Sequence, residues 1–384
     1  MFPTLGHLFG YFFGKVFNFP LPTYGFFLVL AFSSAGVVIF LEMKRKHKEG
    51  LMKSHTKKIT IGEGPNPLDL LYTFATVFIF AFKLVGIVLN YDEFTADIHA
   101  YILSTKGNFL GGILIAGAVV TYNYFKIKKT QLPKPETKNI EVLPHQIATN
   151  IVLIAALSGI TGAKLFDVIE HIPELIKDPI GTLFSSGGFT FFGGLIVGTS
   201  VTLYYALKKG IEVKQMLDVA APAILFAYGV GRLACQLSGD GCWGIPNTNP
   251  QPEWLSFLPN WMWAYNFPHN VIHEGIPMVG CDGTYCNVLE TPVFPTSFYE
   301  SMLMFAFFAV VWFFRKRIKI HGILFFLAFA LIGFERFLIE TIRVNIKYNV
   351  LGMNLTQAQF IGLGLIAVGI AGMIYLKKKS SQLK

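Results

Sequence analysis

The chain has 384 residues, of which 53% are hydrophobic and only 14% charged, and 38 of them are phenylalanine. A soluble domain carries about 25% charged residues, so this composition cannot cover a water-facing surface. It argues against a soluble enzyme, a disordered chain and a nucleic-acid-binding protein, and we expect no nucleic-acid partner. The composition predicts a polytopic membrane protein.

Apolar stretches of about 20 residues cross a bilayer as helices, because a helix satisfies every backbone polar group internally. We count nine such stretches and predict an all-α, polytopic transmembrane helical bundle. The aromatic, glycine-rich first 20 residues lack the basic front and cleavage site of a signal peptide, so we expect an interfacial helix there. The predicted spans are 22–41, 68–90, 108–125, 147–165, 188–207, 217–238, 297–314, 321–342 and 357–376.

Lysine and arginine alternate between the loops along the whole chain. The connections after the odd-numbered spans, with the C-terminal tail, hold 23 of the 32 Lys and Arg residues, and the other connections hold 5. Because basic loops remain in the cytoplasm, the N-terminus is predicted outside and the C-terminus inside. The formal charge of +9 is therefore first a topology signal.

The connection 240–296 contains no Lys or Arg and is rich in Trp, Pro, Asn and Gly. We predict a small extracytoplasmic head built from turns. On an oxidising side, Cys281 and Cys286 could form a disulfide. A zinc site of Cys235 and Cys242 with His269 or His273 is an alternative, but these spacings match no standard zinc pattern. We therefore predict no metal site and no cofactor.

Two arginines lie inside predicted spans, where ionisable residues are costly and informative. Arg232 in span six and Arg336 in span eight each lie about 15 residues from the predicted cytoplasmic end, which is about 23 Å along a helix. The equal depth suggests one shared anion, and the guanidinium fork suits phosphate oxygens. The alternative is that each arginine is neutralised by a structural carboxylate. The candidate carboxylates are Glu300, Glu335 and Glu340.

Polar or glycine-rich motifs gather at the same predicted level. Small residues in membranes usually allow close helix packing, but several spans with such ends at one depth favour a cavity open to lipid head groups. On span eight the spacing i, i+4, i+7 predicts one helix face for Arg336, Glu340 and Arg343. The other motifs are Tyr24-Gly25, GGFTFFGGLIVG (187–198), GVGRLACQLSGDGCWG (229–244) and FPTSFYE (294–300).

The order of these motifs, ending in ERFLIETIR (335–343), resembles the prolipoprotein diacylglyceryl transferase family over span one and from residue 147 onward. Members transfer the diacylglyceryl group of phosphatidylglycerol to a cysteine thiol of a lipoprotein precursor, so that a thioether forms and glycerol phosphate leaves. The resemblance implies a transferase in the bacterial cytoplasmic (inner) membrane with its site facing the outer leaflet. Its implied partners are phosphatidylglycerol, membrane lipid and a prolipoprotein signal peptide with a lipobox cysteine.

The resemblance also implies roles for individual residues. Fixed arginines would stabilise the charge that develops on the leaving phosphate, and the acceptor thiol, with a pKa of about 8.5, must react as the thiolate. The implied catalytic residues are Arg232, Arg336, Asp240 and Tyr24. The implied substrate-binding residues are the same two arginines with Glu340, Arg343, Gly193, Gly194, Gly244, Tyr299 and Glu300.

The chain departs from the family pattern at several motif positions. Phe192 and Phe294 stand where the family usually has histidines, Ile332 stands for a tyrosine, and Cys235 and Ser238 stand for asparagines. One extra residue also precedes Gly244. No histidine base can therefore be carried over. The remaining candidates for this role are Asp240, His269, His273 or the arginines alone.

The resemblance divides the chain into five segments. They are 1–66 (interfacial segment, first span and basic loop), 67–140 (a two-span insertion with its basic loop), 141–239 (core spans four to six), 240–296 (the head) and 297–384 (core spans seven to nine with the basic tail).

Two other functions stay open. One is a related membrane transferase with a different acceptor, which the missing histidines would permit. The other is a non-catalytic lipid-binding or transport protein on the same scaffold. Transporters tend to have internal repeats and sites at the midplane, whereas this chain has no repeat and its polar cluster is predicted near one face.

Overall fold

The computed structural model describes residues 1–15, 19–96, 101–102, 104–184, 189–350 and 353–382. Within them the chain is mainly helical. The helices are α1 (Leu5–Phe13), α2 (Thr23–Lys48), α3 (Pro67–Leu89), α4 (Tyr91–Ala96), α5 (Phe109–Thr130), α6 (Ala148–Glu170), α7 (Ile172–Lys177), α8 (Pro179–Phe184), α9 (Phe191–Lys208), α10 (Val213–Ser238), α11 (Thr296–Phe314), α12 (Ile323–Ile339) and α13 (Gln357–Gln382). The antiparallel strand pairs are β1 (His55–Ile61) with β2 (Glu136–Val142), β3 (Ile276–Pro277) with β4 (Asn287–Val288), and β5 (Lys347–Val350) with β6 (Met353–Thr356).

Seven helical segments in the described part of the chain are long and apolar enough to cross a membrane. This confirms the prediction of a polytopic helical membrane protein. The other two predicted spans, 188–207 and 321–342, correspond to α9 and α12, which have 18 and 17 residues. At 1.5 Å per residue these helices are about 26 Å long, slightly shorter than a hydrocarbon core of about 30 Å. The nine-span count and the orientation stay predictions.

The chain folds as two compact units. The first comprises 1–53, 144–158 and 198–384, and the second comprises 54–143 and 159–197. In the first unit α10 packs against α2, α11 and α12, which explains why about half of its apolar stretch is buried. The core where α10, α11 and α12 meet contains Leu225, Met304 and Leu324.

Helices α12 and α13 approach each other through glycines. A Cβ on Gly333 would lie 2.5 Å from the carbonyl oxygen of Gly362, and a Cβ on Gly362 would lie 2.8 Å from that of Gly333. Small residues allow this backbone contact between membrane helices. The contact fixes α12 directly before its charged end.

A buried carboxylate ties the N-terminal parts of α10 and α12 together. Asp218 accepts hydrogen bonds from the backbone N–H groups of Gly322 at 2.8 Å and Phe325 at 3.3 Å. Lys46 of α2 lies 3.4 Å from the same carboxylate, and both side chains are 3% exposed. Asp218 therefore caps α12 from a neighbouring helix and has a counter-charge, as a buried carboxylate requires.

The second unit contains a helical hairpin and a ribbon. Helices α3 and α5 pack together, and β1 pairs with β2 in a register that places Lys57 opposite Ile140. The pairing joins the basic connections that follow the first and third predicted spans. It therefore supports the prediction that these two connections lie on one side of the membrane.

The 240–296 segment is built from turns, as predicted. It contains two 3-10 turns, Glu253–Leu255 and Asn260–Met262, and the β3–β4 pair. Its small core consists of Trp243, Phe267, Leu289 and Val293. Cys281 and Cys286 form a disulfide, a pairing that the sequence analysis left open, whereas Cys235 and Cys242 are free thiols.

Candidate active site

Arg232 lies in the C-terminal half of α10, with 17% of its side chain exposed. Its Nε atom lies 2.5 Å from Oε2 of Glu300. The two groups form an ion pair, but the Nε–H does not point at the oxygen well enough to count as a hydrogen bond. Nη2 donates to the hydroxyl of Tyr228 at 3.5 Å, and the guanidinium lies 5.3 Å from the centre of that ring. Tyr228 is a residue that the sequence analysis missed, although its i, i+4 spacing from Arg232 could have identified it.

Glu300, near the start of α11, joins two arginines through one carboxylate. It is fully buried, and its Oε2 also accepts a hydrogen bond from the Tyr228 hydroxyl at 3.3 Å. Its Oε1 accepts a hydrogen bond from Nη1 of Arg343 at 3.2 Å. Because two guanidinium groups share a single carboxylate, the trio of Arg232, Glu300 and Arg343 carries one excess positive charge.

Arg343 lies outside α12, and the prediction of a shared helix face is therefore wrong. Helix α12 ends at Ile339, Glu340–Ile342 forms a 3-10 turn, and Arg343 has extended backbone angles of φ −95° and ψ 154°. The spacing of Arg336, Glu340 and Arg343 consequently does not place them on one α-helical surface. The backbone of Arg343 pairs with another segment instead of continuing the helix.

That segment begins at Gly244, which forms an isolated antiparallel bridge with Arg343. The backbone N–H of Gly244 donates to the carbonyl of Phe294 at 2.9 Å. A Cβ at this position would lie 2.5 Å from the carbonyl oxygen of Ile342, so the close approach requires glycine. Gly244, predicted to bind substrate, here positions the backbone that carries Arg343.

Arg336 has its own carboxylate partner. Its Nη2 lies 3.5 Å from Oε2 of Glu340, and 27% of the Arg336 side chain is exposed. Glu340 is fully buried, and Asn345 also donates to it. The sequence analysis considered that each arginine could be neutralised by a structural carboxylate. The structure contains such ion pairs, Arg232 with Glu300 and Arg336 with Glu340.

Glu335 is the third candidate carboxylate and differs from the other two. It is fully buried, and neither of its oxygens accepts a hydrogen bond from any described residue. It interacts electrostatically with Arg232, Arg336 and Glu300. A buried carboxylate without hydrogen bonds is unfavourable as an anion, so this residue stands out from the well-partnered Glu300.

The two arginines lie at equal distances from a shared contact. The hydrogen bond between Asp218 and the backbone of Gly322 fixes α10 against the start of α12. Arg232 follows Asp218 by 14 residues, and Arg336 follows Gly322 by 14 residues. This is about 21 Å along each helix. The spacing supports the equal depth on which a shared anion site depends.

Tyr24 and Asp240 lie near Arg232. Tyr24, in the first turn of α2, is 43% exposed and is within electrostatic range of Arg232, Asp240, Cys235 and Cys242. Cys242 lies beyond the C-terminus of α10. The hydrogen bond with Cys235 lowers the pKa of its thiol. The fold thus brings Tyr24, Asp240 and Arg232, all predicted to be catalytic, into one neighbourhood.

Tyr299 anchors the 240–296 segment to α11, because its hydroxyl donates to the carbonyl of Met262 at 2.6 Å. An apolar cavity of about 370 Å³ lies beside it, lined among others by Leu255, Trp263 and Phe298. Its aliphatic and aromatic lining suits a hydrocarbon chain rather than a charged group.

The predicted glycines of the fifth span belong to the second unit. A Cβ on Gly193 would lie 2.5 Å from the carbonyl oxygen of Gly162, and one on Gly194 would lie 3.0 Å from that of Gly159. These glycines therefore pack α9 against α6, as small residues do in membranes. The first two glycines of this motif, residues 187 and 188, lie outside the described residues.

His269 and His273 are built into turns of the 240–296 segment. Both have positive φ angles, 60° and 56°. Nδ1 of His269 lies 2.7 Å from the carbonyl oxygen of Tyr285, and the His273 ring stacks on the Tyr285 ring with centroids 5.4 Å apart. Across the described residues, neither histidine joins a group of three side chains able to hold a metal ion. Their contacts favour a structural role.

Fold and site together define an integral membrane protein in which buried carboxylates pair with partly buried arginines near the ends of its helices. A family model described as prolipoprotein diacylglyceryl transferase matches residues 111–375 of the chain. The chain belongs to the prolipoprotein diacylglyceryl transferase family. The match begins within α5, earlier than the resemblance noted from residue 147.

Curated relatives named phosphatidylglycerol–prolipoprotein diacylglyceryl transferase agree with this assignment. The chain is 30% identical to the relative from Clostridium tetani over 223 residues, 58% of this chain and 77% of the relative. It is 29% identical to one from Dehalococcoides mccartyi over 295 residues, 77% and 97% of the two chains. The identity to one from Streptococcus pneumoniae is 28% over 254 residues, 65% and 85% of the two chains.

Proposed function

We propose that the protein transfers the diacylglyceryl group of phosphatidylglycerol to the lipobox cysteine thiol of a prolipoprotein. The sulfur forms a bond to the glyceryl carbon, the bond from that carbon to the phosphate oxygen breaks, and glycerol phosphate leaves with the electron pair. The reaction takes place in the bacterial cytoplasmic membrane, with the active site facing the outer leaflet and the signal peptide as the protein substrate.

The single observation that carries this proposal is the charge arrangement around Glu300. Its carboxylate is shared by Arg232 and Arg343, which leaves one guanidinium charge for a bound anion. Arg336 lies at the same distance from the α10–α12 contact. Fixed guanidinium groups in a site of low dielectric stabilise the charge that develops on a leaving phosphate.

The remaining residues are assigned around this phosphate site. Tyr24 and Asp240, which lie close to Arg232, face the acceptor thiol. Glu340 holds Arg336, Gly244 positions Arg343, and Tyr299 holds the 240–296 segment over α11. In this arrangement Gly193 and Gly194 act through the packing of α9 on α6.

The test is a thioether assay with purified protein, labelled phosphatidylglycerol and a lipobox peptide. Arg232→Ala and Arg336→Ala should each abolish product while the protein still elutes as a folded species. Arg317→Ala is the matched control, because Arg317 is an exposed arginine beyond the C-terminus of α11, and it should keep wild-type activity.

Full activity in both site variants would remove the phosphate role of these arginines. Absence of thioether with the wild-type protein would instead favour a transferase with a different acceptor. Phosphatidylglycerol binding without turnover of either substrate would favour a lipid-binding protein.

A further inference from the structure

Three side chains with metal-binding atoms meet where α10 ends. The donor atoms of Cys235, Asp240 and Cys242 all lie within 4.8 Å of one another. The chain reverses at Gly239 and Gly241, whose φ angles are 68° and 91°, values that glycine adopts without strain. This turn folds Asp240 and Cys242 back over Cys235 in the last turn of the helix.

The group is held in place by its own contacts. Oδ1 of Asp240 accepts a hydrogen bond from the backbone N–H of Cys242 at 3.1 Å, and both cysteines are free thiols. Cys235 is buried, whereas Asp240 and Cys242 are partly exposed. The same protein contains a formed disulfide at Cys281–Cys286, yet the Cys235 and Cys242 sulfurs are not bonded to each other.

Two thiolates and one carboxylate are all ligand types that zinc binds in proteins. Zinc binds sulfur at about 2.3 Å and carboxylate oxygen at about 2.1 Å in a tetrahedron, which places neighbouring donor atoms about 3.6–3.8 Å apart. The donor atoms lie within 4.8 Å of one another, so they would have to approach by about 1 Å to reach that value. Three protein ligands leave the fourth position open, which is the arrangement of catalytic zinc sites.

We propose that Cys235, Asp240 and Cys242 bind one zinc ion whose open position takes the acceptor cysteine as a thiolate. This inference replaces the sequence-based expectation of no metal site, because the turn after α10 brings Asp240 to the two cysteines. It rests on the proposed transferase function and supplies the step for which the chain has no histidine. A thiol that coordinates zinc is deprotonated outright. The chain would thus generate its nucleophile by coordination rather than by a general base.

The charges around the site agree with a divalent ion. Two thiolates and a carboxylate contribute three negative charges, and a divalent zinc ion offsets two of them. Nη1 of Arg232 lies 3.9 Å from Sγ of Cys235. The metal site therefore adjoins the guanidinium proposed to hold the phosphate, so nucleophile and leaving group would be held side by side.

The step balances without an additional reactant. On coordination the acceptor thiol gives its proton to water. The sulfur then forms a bond to the glyceryl carbon, the carbon–oxygen bond to phosphate breaks, and the electron pair leaves on glycerol phosphate. The thioether product is neutral and a weaker zinc ligand than a thiolate, which favours its release.

The test measures metal binding on the full-length protein in detergent, under reducing conditions and without substrates. With zinc sulfate as the probe we expect about one ion per chain by elemental analysis, and with cobalt chloride a sulfur-to-cobalt charge-transfer band. Cys242→Ser and Asp240→Asn should lose the bound ion. The matched control is the double variant Cys281→Ser, Cys286→Ser, which should keep it.

The metal content of the wild-type protein is by itself decisive. The proposal can therefore be refuted even if the variants do not fold. Wild-type protein without bound zinc and without the cobalt band would refute the site. A Cys235–Cys242 disulfide found by mass spectrometry in protein taken from membranes would also refute it. If zinc binds but the chelator-stripped enzyme forms thioether at the wild-type rate, the thiol-activating role is wrong while the proposed transferase function stands.

Discussion

The Nε atom of Arg232 lies 2.5 Å from Oε2 of the fully buried Glu300, so a residue of α10 and a residue of α11 form an ion pair inside the helical bundle. The carboxylate has a second arginine partner in Arg343. Glu300 therefore sets the position of two guanidinium groups at once, and its removal should affect both stability and the proposed phosphate site.

Glu300→Gln should be strongly destabilising and inactive. An amide cannot neutralise Arg232 and Arg343, and leaving buried charges without a partner costs about 3–5 kcal/mol. The free energy of unfolding in mixed micelles and the thioether assay measure the two effects. Glu335→Gln is the matched control, because the Glu335 carboxylate makes no hydrogen bond to a described residue. We expect it to match or exceed wild-type stability, since a buried carboxylate without hydrogen bonds is unfavourable as an anion and the amide of glutamine is neutral. Equal losses in both variants would contradict this account.

Gly244→Ala should lower both stability and activity. The added Cβ would lie 2.5 Å from the backbone oxygen of Ile342, so the bridge to Arg343 must shift, at a cost of about 1–3 kcal/mol. Thermal unfolding and the thioether assay are the measurements. Gly364→Ala in α13 is the control, because a Cβ there meets no atom within 4 Å and alanine favours a helix by about 1 kcal/mol. Wild-type activity of Gly244→Ala would remove its positioning role.

Asp218→Ala should destabilise the protein more than Asp218→Asn. Alanine removes the acceptor for Gly322 and the counter-charge of Lys46, and it leaves a buried lysine unpaired at a cost of about 3–5 kcal/mol. Asparagine keeps an acceptor oxygen for the backbone and should lose less. Equilibrium unfolding gives the order, and the addition of Lys46→Met to Asp218→Ala should recover part of the loss. Equal stability of the two single variants would refute the capping role.

The orientation can be tested with single added cysteines. Lys57→Cys lies in β1, in the predicted cytoplasmic ribbon, and Val279→Cys replaces a fully exposed residue of the 240–296 segment. A membrane-impermeant maleimide should label Val279→Cys in intact spheroplasts and Lys57→Cys only after permeabilisation. The unmodified protein measures the background from Cys235 and Cys242. Labelling of Lys57→Cys in intact spheroplasts would reverse the predicted topology.

The class of protein and the positions of its helices could be read from the sequence. Hydropathy is a local property, so the apolar runs fall on the helices to within a few residues, and the ordered motifs were enough to indicate the family. The sequence also allowed a Cys281–Cys286 disulfide, because the two cysteines are close in sequence and lie in a segment predicted to face an oxidising compartment, but only the structure decided that it forms.

The partners of the charged residues were decided only by the tertiary structure. Glu300 and Arg343 are 43 residues apart, and no local pattern indicates that one carboxylate serves two arginines. Helical spacing placed Arg343 on α12, but its backbone bonds to the Gly244 segment instead. The meeting of Cys235, Asp240 and Cys242 depends on a reversal of the chain. Periodicity describes a chain that continues in one direction, whereas these contacts arise where it turns and packs against distant segments.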